Sequence, residues 1–302
     1  MGHANPSNNP LLNERARKRF TLTDFFLVLN KVREKVFCFT IFKLDKNCKL
    51  KKNSFMLRKA IPHLFTSLNL LCGCLATFFA FSHQFNSALM FVALGVFFDF
   101  FDGFFARLLG EESSLGVQLD SLADLISSGL APGVLMYQLF VLSGVKNIDF
   151  SFTLIPDFAF VFTVAPLAII GYSITVGAAF RLAKFNLITD PLPYFRGLPA
   201  PANALMIMGL PMIFRHPYLV QLNDYLMNPI SLTVCCFISV ILMNIHWKMF
   251  SLKFSGGMMS LLFPVLLLMI ATGLYIYFGI ASLSGIIVIY ILLSSIKFFF
   301  KI

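Results

Sequence analysis

Long apolar runs separated by short polar segments dominate the chain from residue 61 onward. A transmembrane helix needs about 20 predominantly apolar residues in a row. The runs that approach or exceed this length predict eight membrane-spanning helices. They are 61–82, 86–109, 117–141, 157–182, 199–215, 222–245, 258–278 and 280–297. Only Gly279 and the small residues around Ser282 separate the last two runs.

The first 60 residues follow a different pattern. Residues 1–19 are polar and are interpreted as disordered, and residues 43–59 as a basic linker. Between them, residues 21–42 place apolar side chains at spacings of three and four, which predicts an amphipathic helix. Its charge favours a helix lying in the membrane interface over a span. We therefore expect a basic cytoplasmic arm at 1–55 and a membrane domain at 56–302.

Composition supports the same division. Of the 302 residues, 58% are hydrophobic and only 13% are charged, and the mean hydropathy is +0.82. A soluble domain carries about 25% charged residues, so a soluble enzyme, a disordered chain and a fibrous repeat are excluded. The predicted fold class is an all-α polytopic membrane helical bundle. The whole net charge of +10 lies in residues 1–60, and beside a membrane domain it favours membrane lipid over nucleic acid as the partner.

The charges of the loops orient the predicted spans. The N-terminal arm, the C-terminus and the loops 109–116, 183–198 and 246–257 carry nearly all of the flanking Lys and Arg. The opposite loops hold only Lys146 and Arg215. The positive-inside rule then places both termini in the cytoplasm.

Four carboxylates lie at one end of the second and third predicted spans. An unpaired Asp deep in a span costs roughly 2.5–3.5 kcal/mol, and four converging carboxylates also repel one another. At about 100° per residue, the first two share a helix face with Gly95, Gly103 and Ala106, and the other two lie beside further small residues. The four are Asp99, Asp102, Asp120 and Asp124.

Four converging carboxylates are expected to bind cations. Four carboxylates without a nearby His or Cys suit hard, oxygen-seeking ions, and two Mg²⁺ or Mn²⁺ would balance the four charges. Paired divalent ions are a common device for attack at phosphorus. The alternative is that the carboxylates hold helices together by pairing with Arg107, Arg181 or Lys184.

The spacing of these residues resembles the signature of the CDP-alcohol phosphatidyltransferase family. It reads Asp99-x2-Asp102-Gly103-x2-Ala106-Arg107-x8-Gly116-x3-Asp120-x3-Asp124. Within that family, the segments 120–133, 181–186 and 197–204 resemble the members whose acceptor is L-serine. The resemblance covers about 61–297 and implies a six-helix core with extra helices and a polar cavity open to the cytoplasm.

The resemblance also implies roles for the cluster. Two divalent cations held by Asp99, Asp102, Asp120 and Asp124 would bind the diphosphate of CDP-diacylglycerol. Asp124 stands at the family's position for the general base, which takes the proton of the serine hydroxyl as its oxygen attacks the β-phosphorus. CMP would then leave.

Further residues are expected to contact the substrates. The family's first span often begins Pro-Asn-x-x-Thr, and here His63 replaces the Asn. The candidates for the nucleotide and its phosphates are Gly103, Ala106, Arg107, Ser113, His63 and Thr66. Arg181 is the first candidate for the serine carboxylate, with Asn186 and Arg196 as further candidates, whereas Lys184 is interpreted as an anchor at the membrane surface.

Other functions remain open at this point. The acceptor could instead be glycerol 3-phosphate, whose phosphate would require a more basic pocket than serine does. A transporter of ions or metals that uses intramembrane Asp is the alternative of another class, and a catalytically inactive scaffold is a third. The expected location is the cytoplasmic (inner) membrane of a prokaryotic-type cell, with the active site on the cytoplasmic side. A homodimer is a possible assembly.

Overall fold

A computed structural model of the chain describes residues 49–110, 113–155, 158–187, 195–245, 247–249 and 258–300. The predicted disordered segment 1–19 and interfacial helix 21–42 lie outside these residues. The chain divides into two compact units, Met1–Leu57 and Arg58–Ile302. The linker interpretation of 43–59 is wrong from Lys49 onward, because a helix begins there. Lys, Leu and Met, which make up most of residues 49–59, are strong helix formers.

Helices form most of the described structure, which confirms the all-α polytopic fold. The four that carry or approach the carboxylates are α1 (Lys49–Phe81), α2 (Phe85–Leu109), α3 (Ser114–Asp124) and α4 (Ala131–Leu142). The later ones are α5 (Ser173–Asn186), α6 (Ala200–Arg215), α7 (Asn223–Leu226), α8 (Pro229–Asn244), α9 (Met258–Phe278) and α10 (Ser282–Phe300). Short 3₁₀ turns occupy Pro166–Tyr172, Val220–Leu222 and Gly279–Ala281. The strands are β1 (Ile148–Ile155), β2 (Phe158–Val164), β3 (Phe195–Arg196) and β4 (Lys248–Met249).

Five stretches within the described residues are long and apolar enough to cross a membrane, rather than the predicted eight. They are Ala60–Phe81, Phe85–Leu109, Ser114–Leu142, Pro166–Asn186 and Pro264–Ile296. The predicted spans 199–215 and 222–245 contain α6 and α8, each of 16 residues. Such a helix is about 24 Å long at 1.5 Å per residue, short of the roughly 30 Å of hydrocarbon.

The last two predicted spans fall in a single apolar stretch, Pro264–Ile296. The predicted separation at Gly279 is present, since this residue has a φ of +55° and opens a 3₁₀ turn. The helices on either side, α9 and α10, contact each other.

The predicted span 157–182 is wrong over about its first third. Residues Phe158–Val164 form strand β2, which pairs antiparallel with β1. The segment is rich in aromatic and β-branched residues, which favour strands. Helical structure begins only with the 3₁₀ turn at Pro166. A second short sheet pairs β3 with β4.

The third span lies at the centre of the bundle. In its most apolar window 67% of the residues are buried, against 28–33% in the other candidate spans. This span contains α3 and α4, joined by a six-residue π-helical segment, Leu125–Leu130. Buried Leu135, Met136 and Phe140 of α4 form part of the core with Ile207 of α6 and Ile174 of α5.

Candidate active site

Three carboxylates meet where the end of α2 passes the end of α3. Asp99 comes from α2, and Asp120 and Asp124 lie one helical turn apart on α3. One oxygen of each can be chosen so that all three oxygens lie within 4.8 Å of one another. This group of three could therefore hold a metal ion.

Helix α1 supplies the polar side chains that hold the carboxylates in place. The Thr66 hydroxyl donates to Oδ2 of Asp102 at 2.8 Å, and the Asn69 amide donates to Oδ1 of Asp124 at 3.1 Å. Thr66 and Asn69 are buried, as are both carboxylate residues. Two contacts one turn apart on α1 therefore orient one carboxylate on each neighbouring helix.

Two glycines allow the three helices to approach this closely. A Cβ atom on Gly73 of α1 would lie 2.7 Å from the backbone nitrogen of Ser127, in the π-helical segment. A Cβ atom on Gly95 of α2 would lie 2.9 Å from Oδ1 of Asn69 and 3.5 Å from Cβ of Ser127. The π-helical segment directly after Asp124 is thus packed against both α1 and α2.

The polar groups around the carboxylates are not all satisfied within the chain. Oδ1 of Asp120, Oδ1 of Asn69 and Nδ1 of His63 are buried without a hydrogen-bond partner among the described residues. Buried polar groups normally have a partner. The buried, unpaired oxygen of the half-buried Asp120 matches the oxygen donors that Mg²⁺ and Mn²⁺ take.

One face of α2 beside the carboxylates is open. The nearest heavy atom to a Cβ built on Gly103 is a terminal nitrogen of Arg107, 3.8 Å away. Arg107 is exposed, and its Nε donates to the carbonyl oxygen of Gly103 at 2.9 Å.

Ser113 caps α3 by accepting a hydrogen bond from the Gly116 amide at 3.0 Å. The His63 ring lies close to the same glycine, since Cε1 would be 3.5 Å from a Cβ there.

The matched sequence range decides the family. The family described as CDP-alcohol phosphatidyltransferase matches residues 59–241, which is more than half of the chain and includes every carboxylate described above. The chain belongs to the CDP-alcohol phosphatidyltransferase family.

Several proteins of known name are similar to it. The CDP-diacylglycerol–serine O-phosphatidyltransferase of Bacillus subtilis is 35% identical over 150 residues, which are 50% of this chain and 74% of that protein. The enzyme of the same name from Saccharomyces cerevisiae is 34% identical over 137 residues, 42% of each protein. The archaetidylserine synthase of Methanothermobacter thermautotrophicus is 32% identical over 150 residues, 49% of this chain and 56% of that protein. The chain thus spans about half of the length of the last two.

The remaining candidate residues lie at different distances from the carboxylate cluster or in different surroundings. Arg181 of α5 interacts electrostatically with Asp124, and its Nε is buried without a hydrogen-bond partner in the described part of the chain. Asn186 is engaged with Ser121 of α3, donating to its hydroxyl at 2.9 Å. Arg196 lies in β3, where its backbone pairs with Lys248. Lys184 is exposed near the end of α5, and Ala106 is half-buried on the open face of α2.

The alternative that the carboxylates hold helices together by pairing with basic side chains is supported only in part by the described residues. The described hydrogen bonds of Arg107 go to a backbone carbonyl rather than a carboxylate. Arg181 interacts with Asp124 without a hydrogen bond from its Nε. Among the described residues, Arg181 therefore offsets at most one of the carboxylate charges, and the described hydrogen bond of Arg107 offsets none.

Sequence reasoning gives only part of what some residues contribute to this carboxylate cluster. It allows Asn69, one turn after Thr66, as a hydrogen bond between helices, but nothing local shows that its partner is Asp124. Ser127 is predicted to share a helix face with Asp120, whereas the π-helical segment gives no signal, because the apolar periodicity of α3 and α4 does not reveal a change of helix type. Gly73 and Gly95 are visible as small residues, but their contacts depend on the packing of three helices.

Proposed function

We propose that the chain transfers the phosphatidyl group of CDP-diacylglycerol to the hydroxyl of L-serine, giving phosphatidylserine and CMP. The observation that carries the proposal is the cluster of Asp99, Asp120 and Asp124 inside the segment that matches the family. Serine as the acceptor is supported by the names of the relatives, two serine O-phosphatidyltransferases and an archaetidylserine synthase.

The carboxylates fit two divalent cations, Mg²⁺ or Mn²⁺. Asp99, Asp102, Asp120 and Asp124 would hold them, and the buried unpaired oxygen of Asp120 supports this donor set. When bound, the cations supply positive charge for the diphosphate and for the leaving CMP. The hydrogen bonds from Thr66 and Asn69 fix two of the four carboxylates before any ligand enters.

The open face of α2 receives the cytidine and its phosphates. Only the terminal nitrogen of the exposed Arg107 side chain would lie within 4 Å of a Cβ at Gly103, so the nucleotide can approach the helix backbone there once Arg107 moves. Arg107, already held by its bond to the Gly103 carbonyl, can turn its guanidinium to a phosphate, a charge-assisted contact. Ala106, Ser113, His63 and Thr66 complete the nucleotide side of the site.

Asp124 acts as the general base. It takes the proton of the serine hydroxyl while that oxygen bonds to the β-phosphorus, and the bond from phosphorus to the CMP oxygen breaks. Asn69 fixes Oδ1 of Asp124 by its hydrogen bond, so that Oδ2 can face the hydroxyl. A base held in one orientation reaches the proton without first having to be ordered.

Arg181 binds the serine carboxylate. Its guanidinium lies within electrostatic reach of Asp124, so a carboxylate paired with Arg181 places the serine hydroxyl beside the base. The bond between Asn186 and Ser121 would have to open before Asn186 could contact the same substrate. Arg196 is kept as a further candidate.

The site faces the cytoplasm, as both termini do. This follows from the positive-inside rule applied to the loops around the predicted spans. The membrane is proposed to be the cytoplasmic membrane of a prokaryotic-type cell. Both water-soluble partners of the reaction, L-serine and CMP, then exchange with the cytoplasm.

An acceptor assay tests the proposal. Purified protein in detergent receives CDP-diacylglycerol and Mn²⁺ or Mg²⁺, with labelled L-serine in one reaction and labelled glycerol 3-phosphate in another. We expect a labelled lipid and CMP only with serine, and loss of both products in excess chelator. Product from glycerol 3-phosphate alone would contradict the serine assignment, and divalent-ion flux without any lipid product would favour a transporter.

A further inference from the structure

The hairpin of β1 and β2 has one apolar face and one polar face. Antiparallel partners on one face are Ile148 with Val164 and Phe150 with Phe162. On the other face Asp149 pairs with Thr163, and Ser151 is the next position of β1 on that face. Since side chains alternate between the faces of a strand, the register separates aromatic from mostly polar positions.

The described side chains of the apolar face are largely exposed. Phe150 and Phe162 stack with ring centroids 5.4 Å apart, yet they are 46% and 51% exposed, and Ile148 is 47% exposed. On the polar face the carboxylate of Asp149 accepts a hydrogen bond from the Thr163 hydroxyl at 2.6 Å. Within the described residues the two strands pack mainly against each other.

The position of the hairpin indicates what covers this face. It comes after α4 and precedes the span Pro166–Asn186, so both of its ends join membrane spans. Asp120 lies near the start of the third span and Leu142 at its end, about 33 Å apart at 1.5 Å per residue. Asn186, at the far end of α5, bonds Ser121 beside the carboxylates. The hairpin therefore lies at the membrane boundary opposite the carboxylate cluster.

We propose that the apolar face of this hairpin binds the surface of the lipid bilayer, in the leaflet opposite the active site. A two-stranded hairpin alone is marginally stable in water, so burying the aromatic face in acyl chains would stabilise it. The outer edges of both strands carry unpaired backbone groups, which cannot enter the hydrocarbon core. The hairpin accordingly lies flat along the boundary, with Asp149 and Ser151 towards water. This lipid contact is additional to the proposed phosphatidyl transfer, and the proposal for the hairpin does not depend on that function.

Site-directed fluorescence in vesicles tests this contact. The chain has a single Trp, so Trp247→Phe gives an indole-free background whose folding is checked by its far-ultraviolet circular dichroism. Into it we introduce Phe162→Trp on the apolar face and, as the matched control, Ser151→Trp on the polar face. Each full-length variant is placed in phosphatidylcholine vesicles and quenched separately with acrylamide and with brominated phosphatidylcholine.

We expect the brominated lipid to quench Phe162→Trp several-fold more strongly than Ser151→Trp, and acrylamide to show the reverse order. Equal quenching of the two variants by the brominated lipid would overturn the proposal. So would an indole at position 162 that is shielded from both quenchers, which would indicate contact with protein such as a second copy of this chain. Phe150→Trp provides a second apolar-face position if Phe162→Trp does not fold.

Discussion

At the scale of single residues, the contact between Asn69 and Asp124 carries the proposed chemistry. In Asp124→Asn the new side chain can still present an oxygen to the Asn69 amide, but it cannot take a proton near neutral pH. Because general-base help is worth roughly 10²–10⁴-fold, the single-turnover rate at saturating metal and substrate should fall by about that factor. Affinity for CDP-diacylglycerol should fall much less.

Asp120→Asn is the matched variant for this experiment. It removes a ligand rather than the base, so metal and lipid-nucleotide affinity should fall together. A single-turnover rate of Asp124→Asn within a few-fold of the unmodified protein would leave Asp124 as a ligand at most.

Gly95→Ala tests whether the orientation of Asp124 by Asn69 matters for turnover. The added methyl group would lie 2.9 Å from Oδ1 of Asn69, and the end of this side chain can turn away at little cost. Turning away breaks the bond to Asp124, so kcat should fall roughly tenfold, about the worth of a hydrogen bond to a charged group. The melting temperature should also fall, because both former partners stay buried, but by less than in a variant whose added methyl group meets backbone.

The control for Gly95→Ala is Gly273→Ala in α9, where a Cβ would meet nothing within 4 Å. It should leave kcat unchanged. An unchanged kcat in Gly95→Ala as well would show that the bond from Asn69 does not matter for turnover.

At the scale of helices, the contact between α1 and the π-helical segment is the tightest described near the site. A Cβ on Gly73 would lie 2.7 Å and 2.8 Å from the backbone nitrogen and Cα of Ser127. Backbone atoms cannot rotate away as the end of a side chain can, so Gly73→Ala should force the helices apart. The free energy of unfolding should fall by roughly 1–3 kcal/mol, which is typical of overpacking. We expect a lower melting temperature in detergent together with lower activity.

The neighbouring exposed residue gives the control. Cys74→Ala changes a side chain on the exposed side of α1 and should leave both properties unchanged. If Gly73→Ala melts at the same temperature as Cys74→Ala, the close approach of α1 to Ser127 is not a constraint.

The elements also show which features a sequence can predict. Asp120 and Asp124 share a face because four residues make about one helical turn, a local rule that needs no tertiary structure. The bond from Asn69 to Asp124 joins residues far apart in the chain and depends on packing, so no spacing predicts it. The sequence predicts helix at strand β2 because both of its alternating positions are largely apolar, which hides the period of two.

At the scale of the whole molecule, the basic charge and the proposed chemistry lie in different parts of the chain. Residues 1–60 carry the whole net charge, whereas the residues proposed for catalysis begin at His63. Deleting residues 1–48 keeps all of α1, which begins at Lys49. Turnover should remain within a few-fold of the full-length value, and the protein should still sediment with membranes after a salt wash.

Vesicles made only of neutral lipid control for the electrostatic attraction of the arm, which is worth about 1 kcal/mol per basic residue near an anionic surface. Loss of turnover in folded, truncated protein in these vesicles would place the arm within the catalytic unit.

The π-helical segment Leu125–Leu130 has a consequence for the phase of the third span. A π-helical turn holds one residue more than an α-helical turn, and each added residue rotates the remainder of the helix by about 100°. Asp120 and Asp124 lie before the segment, and the buried Leu135 and Phe140 lie after it. The insertion of one further residue here would rotate Asp120 and Asp124 relative to the buried core, whereas a deletion could be absorbed by a return to α-helical turns. A point substitution changes a side chain without producing such a rotation.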